Sequence, residues 1–339
     1  MKYPHHQDYD GYQTDLCERA LLTIWPHLGN FHSSLALVGG LAPRYLCHKP
    51  EMETRTIDVD LGISIASGEG SYQGLSFLLR AADFRLKDNR YIKNIEGYEL
   101  ALDFLTEANN NAGAAMTVED IRANAFIGVE RAVQVVREVT IQGTDLLGAT
   151  VSETVRVCEA GPYLCLKLVA YGQRAMKKDL FDIIQVVQSY DRGPAAAAGL
   201  FRAEATTNPA YPRALQVLHE RFTDIKGKAA IHYADFCVGA RSGTIPPADF
   251  RLLWEQRANT AVTAGILLLE AESEGTLPVT KITSPIGSRR GIPDVKEHGS
   301  FEDEFFRVRR EAKPKDQSFE RIAGEDKLEL LLFLAGAIQ

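Results

Sequence analysis

Cysteine is scarce and badly placed for cross-linking: five residues in 339, Cys17, Cys47, Cys158, Cys165 and Cys237, with no C-x-x-C pair among them. That spacing argues against a disulfide framework and a zinc site, and fits a reduced, cytoplasmic setting. Long apolar runs are missing too. The longest, Leu328 to Ile338, is broken by Glu329 and falls short of the roughly 20 residues a bilayer span needs. Met1 to His6 has no apolar stretch, so neither a signal peptide nor a membrane segment is expected, and the neighbouring His5 and His6 read as solvated side chains of a chain terminus rather than metal ligands. Positive charge is not in excess: 38 Lys and Arg against 45 Asp and Glu leave a net charge of −7. Bulk attraction to nucleic acid is thereby excluded, and any polyanion site must be local. Walker A and G-x-G-x-x-G patterns are both absent, which disfavours P-loop and dinucleotide-binding folds.

What is present is an ordinary globular composition, 45% apolar and 24% charged. The length suits two domains, or one carrying a large extension. Leu16, Ala20, Leu21, Ile24 and Trp25 recur at helical spacing, and Leu35 to Val38 then forms a short buried strand that runs into Gly39-Gly40. A β-branched run follows at Thr54 to Leu61, a helix at Leu75 to Phe84, and strands at Tyr98 to Leu105, Val133 to Ile141 and Val151 to Val157. From Pro162 the pattern turns helical: Tyr163 to Met176, Leu180 to Tyr190, Tyr211 to Phe222, Ala229 to Val238 and Phe250 to Glu272. The expected division is therefore a mixed α/β domain over 1–160, a helical domain over 161–274 and a loop-rich extension over 275–339 whose apolar end, Leu328 to Leu334, is expected to dock on protein.

The first chemistry lies in Asp58 and Asp60. A strand alternates its faces, so Thr56, Asp58 and Asp60 project together while Ile57, Val59 and Leu61 face the other way. Two carboxylates at i and i+2 lie roughly 7 Å apart along the backbone and can converge on a hard divalent cation. The same D-x-D also suits the polar outer face of an edge strand. Asp103 sits in the otherwise apolar strand Leu100 to Leu105, where a buried carboxylate needs a partner and a metal would serve. An exposed strand end is the alternative. If the two strands are neighbours, Asp58, Asp60 and Asp103 form a two-ion site for phosphoryl transfer, with Asp103 able to take the acceptor's proton.

Gly39-Gly40 would let backbone N–H groups approach phosphates, although most glycine pairs are plain turns. On the helix from Tyr163, Lys167, Arg174 and Lys178 fall within about 20° of one line at 100° per residue. This basic stripe is either a solvated face or a counter-charge for a transferring phosphoryl group. Asp179 and Asp182 are expected to pair with these cations and fix helix ends, adding little stability if exposed.

Taken together, Leu37-Val-Gly-Gly40, Arg55-Thr-Ile-Asp-Val-Asp-Leu61, Ala101-Leu-Asp-Phe104 and Lys167 through Lys178-Asp179 to Asp182-Ile183 resemble the AbiEii-type nucleotidyltransferases, a branch of the polymerase-beta-like superfamily known chiefly as toxins of toxin–antitoxin and abortive-infection systems. The resemblance spans Leu35 to Tyr190. It implies an α+β fold, a mixed sheet flanked by helices and followed by a helical domain, with NTP and Mg²⁺, or Mn²⁺ in its place, bound between them. Gly39 and Gly40 would lie at the phosphates, Asp58, Asp60 and Asp103 would hold metal, Lys167 would approach the triphosphate, and Lys178 and Asp179 would match the family's Lys-Asp motif. It also implies transfer of an NMP to tRNA or protein, and a cognate antitoxin as partner. The gap from Gly40 to Asp58 exceeds the family's usual spacing, so an insertion around His48 to Glu53 is expected to reshape the nucleotide pocket. Rival readings are a catalytically silent binding module of the same fold and a sugar-nucleotide glycosyltransferase using the D-x-D.

Overall fold

Asp10 starts the first helix, α1 (Gly11–Ile24), by accepting a hydrogen bond from the Tyr12 backbone N–H at 2.9 Å. The computed structural model describes residues 3–64, 72, 74–108, 113–239 and 247–273. After α1 come β1 (Leu35–Leu37), α2 (Pro43–Leu46), β2 (Asp58–Ile63) and α3 (Leu75–Ala81). Five strands follow in close succession: β3 (Arg85–Lys87), β4 (Arg90–Ile95), β5 (Tyr98–Glu107), β6 (Ala115–Val118) and β7 (Ile121–Phe126). Then come α4 (Val129–Gln134), β8 (Val136–Thr144) and β9 (Thr150–Cys158).

These strands make one mixed sheet in the order β3-β4-β5-β2-β1-β9-β8, with β7 pairing β5 and β6 pairing β7. Its local geometry is set by tight turns. Asp88 and Asn89 both have positive φ, +51° and +65°, and join β3 to β4; Glu96 and Gly97, at +52° and +86°, join β4 to β5. Two central residues at positive φ match the right-handed twist of paired strands, which is why Asp, Asn and Gly serve there. The non-local contact that matters is β2 against β5, parallel, with Asp60 opposite Asp103. On β2, Val59, Leu61 and Ile63 are buried in the core, while α1 and α4 pack against this part of the sheet.

The strands end at Cys158, and helices follow: α5 (Ala160–Arg174), α6 (Lys177–Ser189), α7 (Pro194–Ala203), α8 (Tyr211–Arg221), α9 (Lys228–Val238) and α10 (Pro247–Ser273). Helix α5 touches α6, α7 and α8. One apolar core runs from Leu16 and Trp25 through Val59 and Leu61 to Tyr171, Phe181 and Phe236, so sheet and helices are buried against each other. The architecture is thus α+β, a mixed sheet flanked by helices with a helical assembly after it. None of the described helices is long and apolar enough to cross a membrane. All five thiols are free; four are buried and Cys47 is partly so. The stretch 275–339, with its expected loops and apolar end, lies outside the described residues.

Three expectations change. The hairpin β3-β4, the pair β6-β7 and the helices α4 and α7 were not expected from the sequence, and the strands expected from Thr54 and Val133 begin only at Asp58 and Val136, Val133 belonging to α4. His6 is not solvated: it is buried, its ring packs on Phe181 at 4.9 Å between centroids, and Nε2 lies 2.8 Å from the Glu53 carbonyl oxygen. Burial accordingly pushes its imidazole below the ordinary value. Finally, Lys178 does not continue the stripe of Lys167 and Arg174. Helix α5 ends at Arg174, Ala175 adopts φ +50°, and Lys178 belongs to α6.

Candidate active site

Because β2 is a central strand between β1 and β5, its acidic side is not an outer edge of the sheet. Asp58 is 2% exposed and Asp103, in the middle of β5, is 8% exposed. Both polar-surface alternatives fail on that burial. Thr56 lies two residues before β2 rather than on it, yet its Oγ1 still reaches the acidic side and donates to Asp58 Oδ1 at 2.9 Å. Asp58, Asp60 and Asp103 bring one carboxylate oxygen each within 4.8 Å of one another. Oxygens on opposite sides of one Mg²⁺ are about 4.2 Å apart, from a bond length of about 2.1 Å. The donor set is all oxygen, three carboxylates strong, and of the right reach; these residues fit a hard divalent ion.

The buried Asp103 does have a protein partner, and it is Arg90. The turn at Asp88-Asn89 starts β4 at this residue, and β4 pairs antiparallel with β5, Tyr91 opposite Leu102. Arg90 Nε lies 2.7 and 3.0 Å from the two oxygens of Asp103, and Nη2 lies 2.5 Å from Asp103 Oδ2 and 3.0 Å from Asp58 Oδ2. Burial opposes its charge, but the hydrogen bonds from Arg90 to Asp103 and the charges of Asp103, Asp58 and Asp60 hold the guanidinium protonated. The sequence reasoning missed this residue. An Asp-Asn turn signal stands just before it, yet only the register of β4 on β5 aims it at Asp103.

Gly39 and Gly40 follow β1 directly. A Cβ at Gly39 would overlap the Asp60 carboxylate, and one at Gly40 would lie 2.6 Å from Thr56 Oγ1. The glycines are therefore required where the chain crosses the acidic strand. The Gly40 N–H also points to Asp60 Oδ2, at 3.4 Å.

A second charged cluster sits where α5 meets α6. Lys167 Nζ lies 3.3 Å from Asp179 and 2.8 Å from Asp182; Arg174 grips Asp179 with two hydrogen bonds of 2.6 and 2.7 Å; Lys178 pairs with Asp182. Asp179 and Asp182 are fully buried. The expected pairing is present, but these are not surface pairs. For Lys167 burial opposes the charge, and Asp182 and Asp179 overcome it to raise the ammonium above the ordinary lysine value. Among the described residues, three cations face these two carboxylates.

Between the two clusters lies a pocket of about 360 Å³. Gly39, Asp58, Asp60, Asp103 and Arg90 border it from the sheet; Lys167, Arg174 and Gln173 do so from α5, and Asn124 and Phe126 from β7. Lys178 and Gly40 instead border a narrow space behind Asp58, beside Tyr9 and Asp182, and Asp179 borders neither. Residues 48–53 do not line the pocket. Met52 accepts from Gln185 of α6 through its carbonyl at 2.8 Å, and Glu51 pairs with Arg257 of α10, so the added chain packs on the helices. Arg174 links the clusters: burial opposes its charge, Asp179 raises it, and Asp60 and Asp58 add to that.

No protein-family model matches the chain, and no curated protein matches it by sequence. Among solved structures it is similar to MenT4, a nucleotidyltransferase toxin from Mycobacterium tuberculosis H37Rv, with 15% identity over 75% of this chain and 82% of that one, at a TM-score of 0.35. At that level of similarity, the reading of the site rests on its own geometry.

Proposed function

We propose that this chain is a nucleotidyltransferase that moves an NMP from an NTP to an acceptor hydroxyl. The observation that carries the reading is the Asp58, Asp60 and Asp103 cluster on adjacent parallel strands, facing a pocket whose other wall is the cationic end of α5. In this reading the 1–160 region supplies the carboxylates and the 161–274 helices supply Lys167 and Arg174, while the 275–339 extension has no assigned part.

Asp58, Asp60 and Asp103 would hold Mg²⁺, or Mn²⁺ in its place, and such an ion, when bound, supplies Lewis-acid neutralisation of the phosphate oxygens and activates the attacking hydroxyl. Lys167 and Arg174 bind the triphosphate end of the NTP, where their positive charge stabilises the charge that builds on the leaving group. The N–H groups of Gly39 and Gly40 approach the phosphates from the sheet side. The acceptor oxygen forms a bond to the α-phosphorus as the bond to the bridging oxygen breaks, pyrophosphate leaves, and Asp103 takes the acceptor's proton. Lys178 and Asp179 act from behind, fixing Lys167 and Arg174 through the buried ion pairs.

The acceptor class we favour is tRNA or a protein side chain, in the cytoplasm, with a cognate antitoxin as a partner; the resemblance in motifs supports this part. A polynucleotide acceptor would use the Arg174 to Lys178 region, since the chain as a whole is acidic. The test is incubation of the protein and its Asp58→Ala variant with each α-labelled NTP, Mg²⁺, total tRNA and a protein lysate. Label in RNA or protein only with Asp58 intact is the expected result and names the acceptor. No label with any NTP, together with no NTP binding in calorimetry, overturns the enzyme in favour of a silent module.

A further inference from the structure

We propose that Arg90 is the exchangeable counter-ion of the carboxylate centre: its guanidinium neutralises Asp58 and Asp103 while no metal is bound, and it leaves when a divalent cation arrives. The proposal rests on the metal-binding reading above and adds a residue that neither composition nor motif pointed to.

Three observations support it. The first is where the hydrogen bonds go. Both oxygens of Asp103 and Oδ2 of Asp58 accept from Arg90, at distances of 2.5 to 3.0 Å. Those carboxylates belong to the set that converges for a cation. An ion bound by them at about 2.1 Å would bring a second positive charge next to the guanidinium, so the two cations compete for these oxygens.

The second is which partner can move. The side chains of Asp58 and Asp103 are 4% and 11% exposed and stand on paired strands in mid-sheet. The Arg90 side chain is 35% exposed and borders the 360 Å³ pocket, so it can turn outward by side-chain rotation alone. The third is the contrast with two other arginine–carboxylate pairs. Arg131 with Glu204, and Arg137 with Glu159, hold carboxylates that border neither the pocket nor the acidic cluster. Those are struts, whereas Arg90 is placed on oxygens with a second use.

Exchange has a chemical consequence for the proposed reaction. The displaced guanidinium would stand in the pocket, where it could bind a phosphate oxygen.

The experiment measures Mn²⁺ binding to the full chain by the loss of the free-ion paramagnetic resonance signal, for wild type, Arg90→Gln and Asp60→Asn. Exchange predicts that Arg90→Gln binds Mn²⁺ roughly tenfold tighter or more, and that Asp60→Asn loses binding. Unchanged or weaker binding by Arg90→Gln, with wild type binding and Asp60→Asn not, overturns the exchange and makes Arg90 a strut while the metal centre stands. No binding in wild type or Arg90→Gln overturns the metal centre itself. A second measurement needs no variant: modification of Arg90 in the wild type by phenylglyoxal, followed by peptide mass spectrometry. Mg²⁺ should accelerate it; an unchanged or slower rate in Mg²⁺ that saturates the site overturns the proposal.

Discussion

The two charged clusters are built from the same residue types and behave as opposites. At the sheet, three carboxylates gather beside one arginine, and the groups border a pocket. At the α5–α6 junction, three cations meet two fully buried aspartates. The first arrangement keeps ligand oxygens reachable from the pocket. The second locks its carboxylates away and presents only Lys167 and Arg174 to it. Carboxylates on one wall of a pocket facing cations on the other is an arrangement suited to a metal–anion pair.

The largest way to break this contrast is to cut the locked cluster. Asp182→Asn removes the carboxylate that faces both Lys167 and Lys178 and leaves cationic charge uncompensated in a buried position. The expected loss is about 3–5 kcal/mol of stability, measured by urea denaturation. Asp60→Asn, at the sheet cluster, should by contrast stay within about 1 kcal/mol of wild type in the presence of a chelator, because it relieves repulsion between carboxylates. Near-equal losses would erase the distinction.

A middle-sized effect tests the close approach at the glycine turn. Gly39→Ala drives a methyl group into the Asp60 carboxylate. It should cost about 1–3 kcal/mol and abolish the stabilisation that Mn²⁺ gives the wild type in thermal melts. A variant still stabilised by Mn²⁺ would mean that Asp60 is dispensable to the centre.

The smallest effect lies behind the locked cluster, where His6 packs on Phe181 of α6. Burial holds its imidazole below the ordinary 6.5, so the folded state prefers the neutral ring. Its contribution is therefore present above pH 6.5 and is lost as pH falls through the lower folded-state value. Between pH 7 and 5, wild type should lose stability in urea denaturation that His6→Gln does not. Identical pH dependence in the two proteins would count against a buried neutral ring.

How much of this was legible follows from the range of the interactions. The strand at Asp58 to Leu61, with its two faces, is a local pattern, and so is the apolar frame that makes Asp103 conspicuous. Their meeting depends on parallel pairing across an intervening hairpin, which motif order suggested and periodicity could not. Arg90 marks the limit: its chemistry comes entirely from the register of β4 on β5, although the Asp88-Asn89 turn that sets that register was open to reading. The same holds for Lys178. Continuing the helical wheel past Ala175 put it on the wrong face, because an alanine at positive φ gives no composition signal where a glycine would have. Its true position beside Asp182 comes from the four-residue spacing on α6. Helix α7 was missed for a different reason: its Gly193-Pro194 entry reads as turn punctuation, although proline is well placed in the first turn of a helix.

Strand β1 is three residues long, fully buried, antiparallel to β2 on one side and parallel to β9 on the other. Mechanically it is the narrowest cross-section of the sheet, a single seam between the β3-β4-β5-β2 sector and the β8-β9 arm. The chain leaves that seam at Leu37 and reaches Gly39 two residues later, with the Val38 N–H bonded to the Asp60 carbonyl at 3.0 Å. Among the described strands of the sheet, the long β8-β9 arm is thus joined to the acidic strand through this seam alone, and the Gly39-Gly40 turn issues from the same short strand.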